Sequence, residues 1–188
     1  PDHTQLRFFL GSMYDRIGQQ VKTIENMRKV LQVDENHVQA LNFLAYTFAE
    51  NGENLREAEE LAMKALGLSP KDGYVMDTMG WVLFKQGRVE ESIKYLEAAH
   101  NNISNESIIA EHLGDAYYRN KLIDKAKQAR EEAEKRREEE RKLQTERYAT
   151  GGAVHRTDVD IFGGRAFDPF TDYAPSPGGA TQKQVAFL

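Results

Sequence analysis

The sequence has no cysteine, so disulfide scaffolds, thiolate catalysis and cysteine-based zinc or iron–sulfur sites are excluded. No run of about 18 apolar residues exists, so no segment has the composition of a membrane-spanning helix. Prolines number only 5 and tryptophan 1 in 188 residues. Charge is not one-sided either, because 25 basic side chains face 30 acidic ones, and a net charge of −5 speaks against a dedicated nucleic-acid binder. The motifs of common chemistries are missing. The histidines His3, His37, His100, His112 and His155 lack ligand spacing, and no Gly-x-Ser-x-Gly or His-Glu-x-x-His stands in the chain. Gly163-Gly164 and Gly178-Gly179 do not open a helix as a phosphate loop does. Glu111-His112 reads as helix surface. The residues point to no enzyme, no metal and no cofactor.

What is present divides the chain into three parts. Residues 1–120 carry 12 basic and 18 acidic side chains, residues 121–150 carry 10 and 8, and residues 151–188 carry 3 and 4. Of the 14 glycines, 6 follow residue 150, as do 3 of the 5 prolines. An acidic body is thus followed by a charge-dense stretch and a glycine-rich tail.

The body is periodic. Leu10-Gly11, Leu44-Ala45, Met79-Gly80 and Leu113-Gly114 recur at steps of 34, 35 and 34 residues. An aromatic follows each pair (Tyr14, Phe48, Phe84, Tyr117), then small residues at Ala58, Ser92 and Ala126 and at Ala65, Ala99 and Ala133, with Thr23 and Val30 in the first copy. Apolar residues fall at helical spacing within each copy, as in Leu41, Leu44, Ala45 and Phe48. Gly18, Gly52 and Gly87 interrupt that spacing midway, where a left-handed cap ends a first helix. Each copy is therefore a helix–turn–helix unit. Such a unit cannot bury its apolar face alone, so copies must stack.

This pattern resembles the tetratricopeptide repeat family over residues 4 to about 135, with departures at Arg7, Leu41, Met76 and Ala110, where the family motif has an aromatic. Glu35 and Ser104 replace closing prolines, which Pro70 keeps. The resemblance implies an all-α fold, a right-handed superhelical stack of hairpins at about 4–37, 38–72, 73–106 and 107–135. A charged helical extension at 136–149 and a loop-rich tail at 150–188 follow. Copies two and three resemble arrays of bacterial proteins, several of them envelope-associated. Pro1 matches a closing proline, which is read as the end of a preceding copy.

The resemblance also implies a peptide-binding groove lined by the first helix of each repeat. Carried over, its positions select Phe8, Asn42, Tyr46, Tyr74, Asp77, Trp81, Phe84, Lys85, Glu111, Asp115, Tyr118 and Arg119. Tyr74, Trp81 and Phe84 are expected to form an open aromatic cluster, since rings left over from the core stripe of Leu44, Met79, Leu83 and Leu113 need another partner. The Lys, Asn and Arg ring that holds a terminal carboxylate in chaperone-docking relatives is absent except for Asn42. The expected partner is a protein segment with apolar or aromatic side chains, its basic residues meeting Asp77, Glu111 and Asp115. The function expected is a scaffold or adaptor.

The last helix is expected to run from near Leu122 to about Tyr148 as a solvated helix, with pairs Glu131–Lys135, Glu132–Arg136 and Glu138–Lys142. Beyond it, Phe162, Phe167, Phe170, Tyr173 and Phe187 punctuate a Gly- and Pro-rich segment. The alternative function is a self-assembly or autoinhibition module, in which residues 157–188 dock in the chain's own or a neighbour's groove and support homo-oligomers.

Overall fold

The computed structural model describes residues 3–149, and the tail expected to dock lies outside them. Eight helices follow in order: α1 (Thr4–Arg16), α2 (Gln20–Val33), α3 (Val38–Asn51), α4 (Leu55–Leu68), α5 (Gly73–Lys85), α6 (Val89–Asn102), α7 (Ser107–Arg119) and α8 (Ile123–Ala149). They pair as hairpins α1–α2, α3–α4, α5–α6 and α7–α8, and each hairpin stacks on the next. No strand occurs among the described residues. The fold is an all-α repeat stack.

One turn recurs four times. Gly18, Gly52 and Gly87 take φ of +70°, +67° and +84°, as their spacing predicts. At each, two backbone N–H groups return to carbonyls of the finished helix, as when Gly87 donates to Phe84 and Arg88 to Leu83. The fourth turn has no glycine. Lys121 holds φ of +62° there, and its N–H and that of Leu122 reach Tyr118 and Tyr117. The extra residue of the second copy is absorbed by Asn54, also left-handed at +49°. Entry to the first helices is fixed by side chains. Asp72 accepts from the N–H of Tyr74 at 2.9 Å, and His37 Nδ1 accepts from Ala40 at 3.2 Å. Burial, opposed by the nearby Asp34 charge, lowers the His37 pKa, which suits an imidazole that must offer a lone pair.

The small-residue columns set how closely paired helices approach. A Cβ on Gly80 would lie 2.6 Å from Leu96 Cγ and 3.2 Å from the Leu96 backbone nitrogen, so α5 and α6 touch where only hydrogen fits. Ala45, Ala58, Ala62 and Ala65 are fully buried between α3, α4 and their neighbours. Leu44, Met79, Leu83 and Leu113 are buried as the core stripe requires. α8 continues through 27 residues, about 40 Å at 1.5 Å per residue. On it Glu138 pairs with Lys142 at 2.8 Å and Glu132 with Arg136, while Lys135 lies 4.0 Å from Glu139 instead of pairing with Glu131.

Two glycines in helices should respond oppositely to a methyl group. Gly80→Ala is expected to lower stability by about 1–3 kcal/mol through overpacking against Leu96. Gly67→Ala meets nothing within 4 Å and is expected to raise it by about 0.5–1 kcal/mol. Urea unfolding followed by circular dichroism checks both, and an unchanged midpoint for Gly80→Ala would refute the close α5–α6 contact.

Candidate functional site

The residues selected by register lie on α1, α3, α5 and α7, and the structure sorts them into two layers. Trp81 is 7 % exposed, which corrects the expectation of an open ring. Its indole Nε1–H donates to Glu50 Oε1 of α3 at 2.5 Å. Its ring stacks on Phe84, with centroids 4.9 Å apart, and on His112 of α7 at 4.0 Å with 15° between planes. Tyr74 does not stand free beside it, because its hydroxyl donates to Glu106 at the start of the next hairpin, 3.0 Å away. Phe84 is half-buried and packs against both the Trp81 cluster and the Leu113–Tyr117 cluster. Phe8 is buried against His37 and Phe43. The leftover rings thus found their second partner largely in the adjacent hairpins.

The three carboxylates expected to meet a basic ligand are already answered within the chain. Asp77 is buried on α5, with both oxygens 3.0 Å from His112 Nδ1. Glu111 pairs with Arg137, and Asp115 with Arg130 at 3.2 Å, both partners on α8. α8 is therefore more than a solvated helix, since Arg130 and Arg137 neutralise carboxylates of α7. Glu111 remains above the usual carboxylate range because burial outweighs the Arg137 charge.

His112, read from sequence as surface, is buried. Burial alone lowers an imidazole pKa. Here the charge and hydrogen bond of Asp77, helped by Glu50 and Glu111, prevail and hold it above the ordinary 6.5. The buried His112–Asp77 pair then sits under the Trp81 indole, the imidazole stacked on its π face. Register held the missed signal. His112 is equivalent to Phe43 and Thr78, both buried, so the column is interior in every later repeat. Arg130 and Arg137 were not selected either. Their roles depend on contacts between elements that repeat spacing does not encode.

What remains accessible is a smaller set. Tyr118 is 55 % exposed with Arg130 over its ring at 5.1 Å, and exposed Arg119 lies 5.2 Å from the Phe84 centroid. Lys85, half-buried, lies 4.7 Å over Trp81 and 4.0 Å from Glu50. Tyr46, half-buried, flanks His112 with centroids 6.0 Å apart. Asn42 is buried, and its Oδ1 has no hydrogen-bond partner among the described residues. Phe162, Phe167, Phe170, Tyr173 and Phe187 lie outside the described residues. Among the described residues no cluster of three or more metal-ligating side chains occurs, and no helix is long and apolar enough to cross a membrane.

No family model matches the chain. A TPR repeat-containing protein of Pseudomonas aeruginosa is 29 % identical over 115 residues, covering 61 % of this chain and 19 % of its own length. The chain thus spans about a fifth of the curated relative it matches. Among solved structures, a thermophilic TPR protein of Thermus thermophilus superposes with a TM-score of 0.64 at 17 % identity, covering 69 % of this chain and 72 % of its own. MamA of Desulfovibrio magneticus gives 0.57 at 20 % identity over 74 % and 76 % of the two chains. An O-GlcNAc transferase of Thermobaculum terrenum gives 0.58 at 24 % identity, with 61 % of this chain but 22 % of that one covered. Repeat stacks of this kind present extended concave surfaces to other proteins.

The buried pair carries a defined pH signature. With the folded-state pKa of His112 raised, its protonation stabilises the fold fully below about 6.5 and ceases to do so as pH rises through the folded value. The wild-type thermal midpoint should fall along that limb, and the His112→Gln variant should lack it. His112→Leu, which strands the Asp77 charge, should cost about 3–5 kcal/mol. Adding Asp77→Asn to His112→Leu should recover much of that loss. A flat wild-type profile would show that His112 is neutral in the fold.

Proposed function

We propose that this chain, whose hairpin stack is similar to those of tetratricopeptide-repeat proteins, is a non-enzymatic interaction scaffold that holds a peptide segment of a partner protein along its first helices. The observation that carries this reading is the layering of the site. Asp77, Trp81, His112 and Glu50 form a floor across α3, α5 and α7, Tyr46, Phe84 and Lys85 stand half-buried on it, Arg119 lies over Phe84, and exposed Tyr118 precedes Arg119 on α7. Aromatic and arginine side chains fixed on a rigid base lose little entropy on binding and are the residue types that dominate interface energetics.

The floor also refines the ligand. With Asp77, Glu111 and Asp115 compensated by His112, Arg137 and Arg130, basic side chains of a partner find little to meet. Arg119 and Lys85 instead favour a segment with apolar or aromatic anchors and an acidic residue. The segment binds in extended or helical form, and the stack supplies shape and side chains, with no covalent step.

Selection from a phage-displayed dodecapeptide library tests the reading. An enriched motif combining an apolar anchor with Asp or Glu is expected. Its peptide should bind about tenfold more weakly, or worse, to Tyr118→Ala and Arg119→Glu, and unchanged to Arg56→Ala on the outer helix α4. All three changes are at exposed positions and should leave the thermal midpoint alone. Trp81→Ala is not a clean probe, since removing the buried indole should cost about 3–5 kcal/mol of stability. Equal loss of binding from Arg56→Ala, or no enriched motif, would overturn the assignment.

A further inference from the structure

His112, Trp81 and Phe84 form a run of near-parallel rings across α7 and α5, with Trp81 tilted 15° from His112 and 7° from Phe84. The inner members are buried and Phe84 is half-buried, so the run ends at the surface. What covers it there is a guanidinium from the next hairpin. Arg119, itself exposed, lies over the Phe84 ring at 5.2 Å from its centroid.

The cations over most other rings of the stack are also committed to carboxylates. Arg28 over Phe48 pairs with Glu57 at 2.8 Å, Lys125 over Tyr117 with Glu97 at 3.5 Å, and Arg130 over Tyr118 with Asp115 at 3.2 Å. Lys85 over Trp81 is held by Glu50, whose carboxylate lies 4.0 Å and main-chain oxygen 3.5 Å away. Arg119 has no carboxylate within 4.0 Å among the described residues. Its planar face is engaged by Phe84, while its N–H edge has no acidic partner.

We infer that Phe84 and Arg119 form a subsite for one aromatic side chain of the bound segment, a Phe, Tyr or Trp next to an Asp or Glu. The ligand ring lies on Phe84 and extends the run by one, and the guanidinium swings out to cover the far face of that ring. There the edge of the guanidinium meets the neighbouring carboxylate while its face stays stacked, a double use that the compact ammonium of lysine does not allow. Little made in the free chain is lost, because one contact between Arg119 and a ring is exchanged for another of the same kind. An aliphatic anchor would leave the guanidinium without a π face. That the ring belongs to a protein segment rests on the scaffold proposed above. The stack narrows the anchor to an aromatic one, and Glu50 leaves the acid to Arg119 rather than to Lys85.

Small probes separate this subsite from the scaffold. The full chain, isotope-labelled for NMR, is titrated with 3-phenylpropionate, with 3-cyclohexylpropionate, which keeps the charge and loses the π face, and with 3-phenylpropanamide, which keeps the ring and loses the charge. 3-Phenylpropionate is expected to shift the Arg119 Nε–H and the Phe84 ring protons with a Kd of about 1–10 mM. The other two should bind about threefold more weakly or worse. Arg119→Lys should weaken 3-phenylpropionate by about threefold, while Arg56→Lys on α4 leaves it unchanged, and both positions are exposed. Equal binding of the phenyl and cyclohexyl acids, or no response of Arg119 at about 50 mM probe, would overturn the subsite and leave the peptide selection standing. An enriched library motif with an aliphatic anchor would do the same. A response to 3-phenylpropionate without any enriched motif would support the subsite and remove the scaffold.

Discussion

A single helical hairpin has two apolar faces and can bury only one of them against itself. Everything in this structure follows from how the second face is covered. Close pairing inside each hairpin, set by Gly80 against Leu96 and by the alanines between α3 and α4, brings backbones near enough for the two helices to act as one body. The face left over then presents a stripe such as Val75, Met79 and Val82, and the preceding hairpin answers it with Leu61, Ala62 and Ala65. Stability is therefore shared between neighbours, and no hairpin's contribution can be assigned to it alone.

Apolar stacking of this kind is permissive about register, and the buried polar seam is what removes the permissiveness. Asp77 on α5 must face His112 on α7, and the indole of Trp81 must reach Glu50 on α3. Sliding one first helix by a turn would strand a buried carboxylate, at a cost well above that of an imperfect aliphatic contact. The seam is weak evidence for extra stability, since an ion pair taken out of water recovers little beyond its desolvation cost. It is better evidence for a unique arrangement of α3, α5 and α7, which is what a surface built on three separate helices requires.

The hairpins were legible because repeat spacing reports local structure. Gly18, Gly52 and Gly87 marked left-handed turns, and Leu44, Met79, Leu83 and Leu113 marked the core, with no knowledge of tertiary contacts. The fourth turn was less legible, since Lys121 adopts a conformation that its side chain disfavours and only the surrounding helices enforce. The site was legible as positions and illegible as surroundings. Register placed Trp81 and Asp77 on the first helices. It could not show that the residue meeting both was a histidine one repeat away, or that arginines of a charge-dense helix would fold back on Glu111 and Asp115. Those pairings cross 15 to 35 residues and depend on rotamers, which periodicity does not carry.

The two ends of the stack bring these threads together. At the α8 end, charge does two jobs at once, pairing inward with α7 through Arg130 and Arg137 and facing outward as Lys127, Glu131 and Glu134. At the α1 end, the stripe of Leu6, Phe9, Leu10 and Met13 that every later repeat buries is still in water, although Phe8, one position along, is buried by His37 and Phe43 on the side toward α3. The two ends differ in charge and not in rule, because a first-helix stripe is buried only through the preceding hairpin, as when Met27 and Val30 cover Phe43 and Leu44.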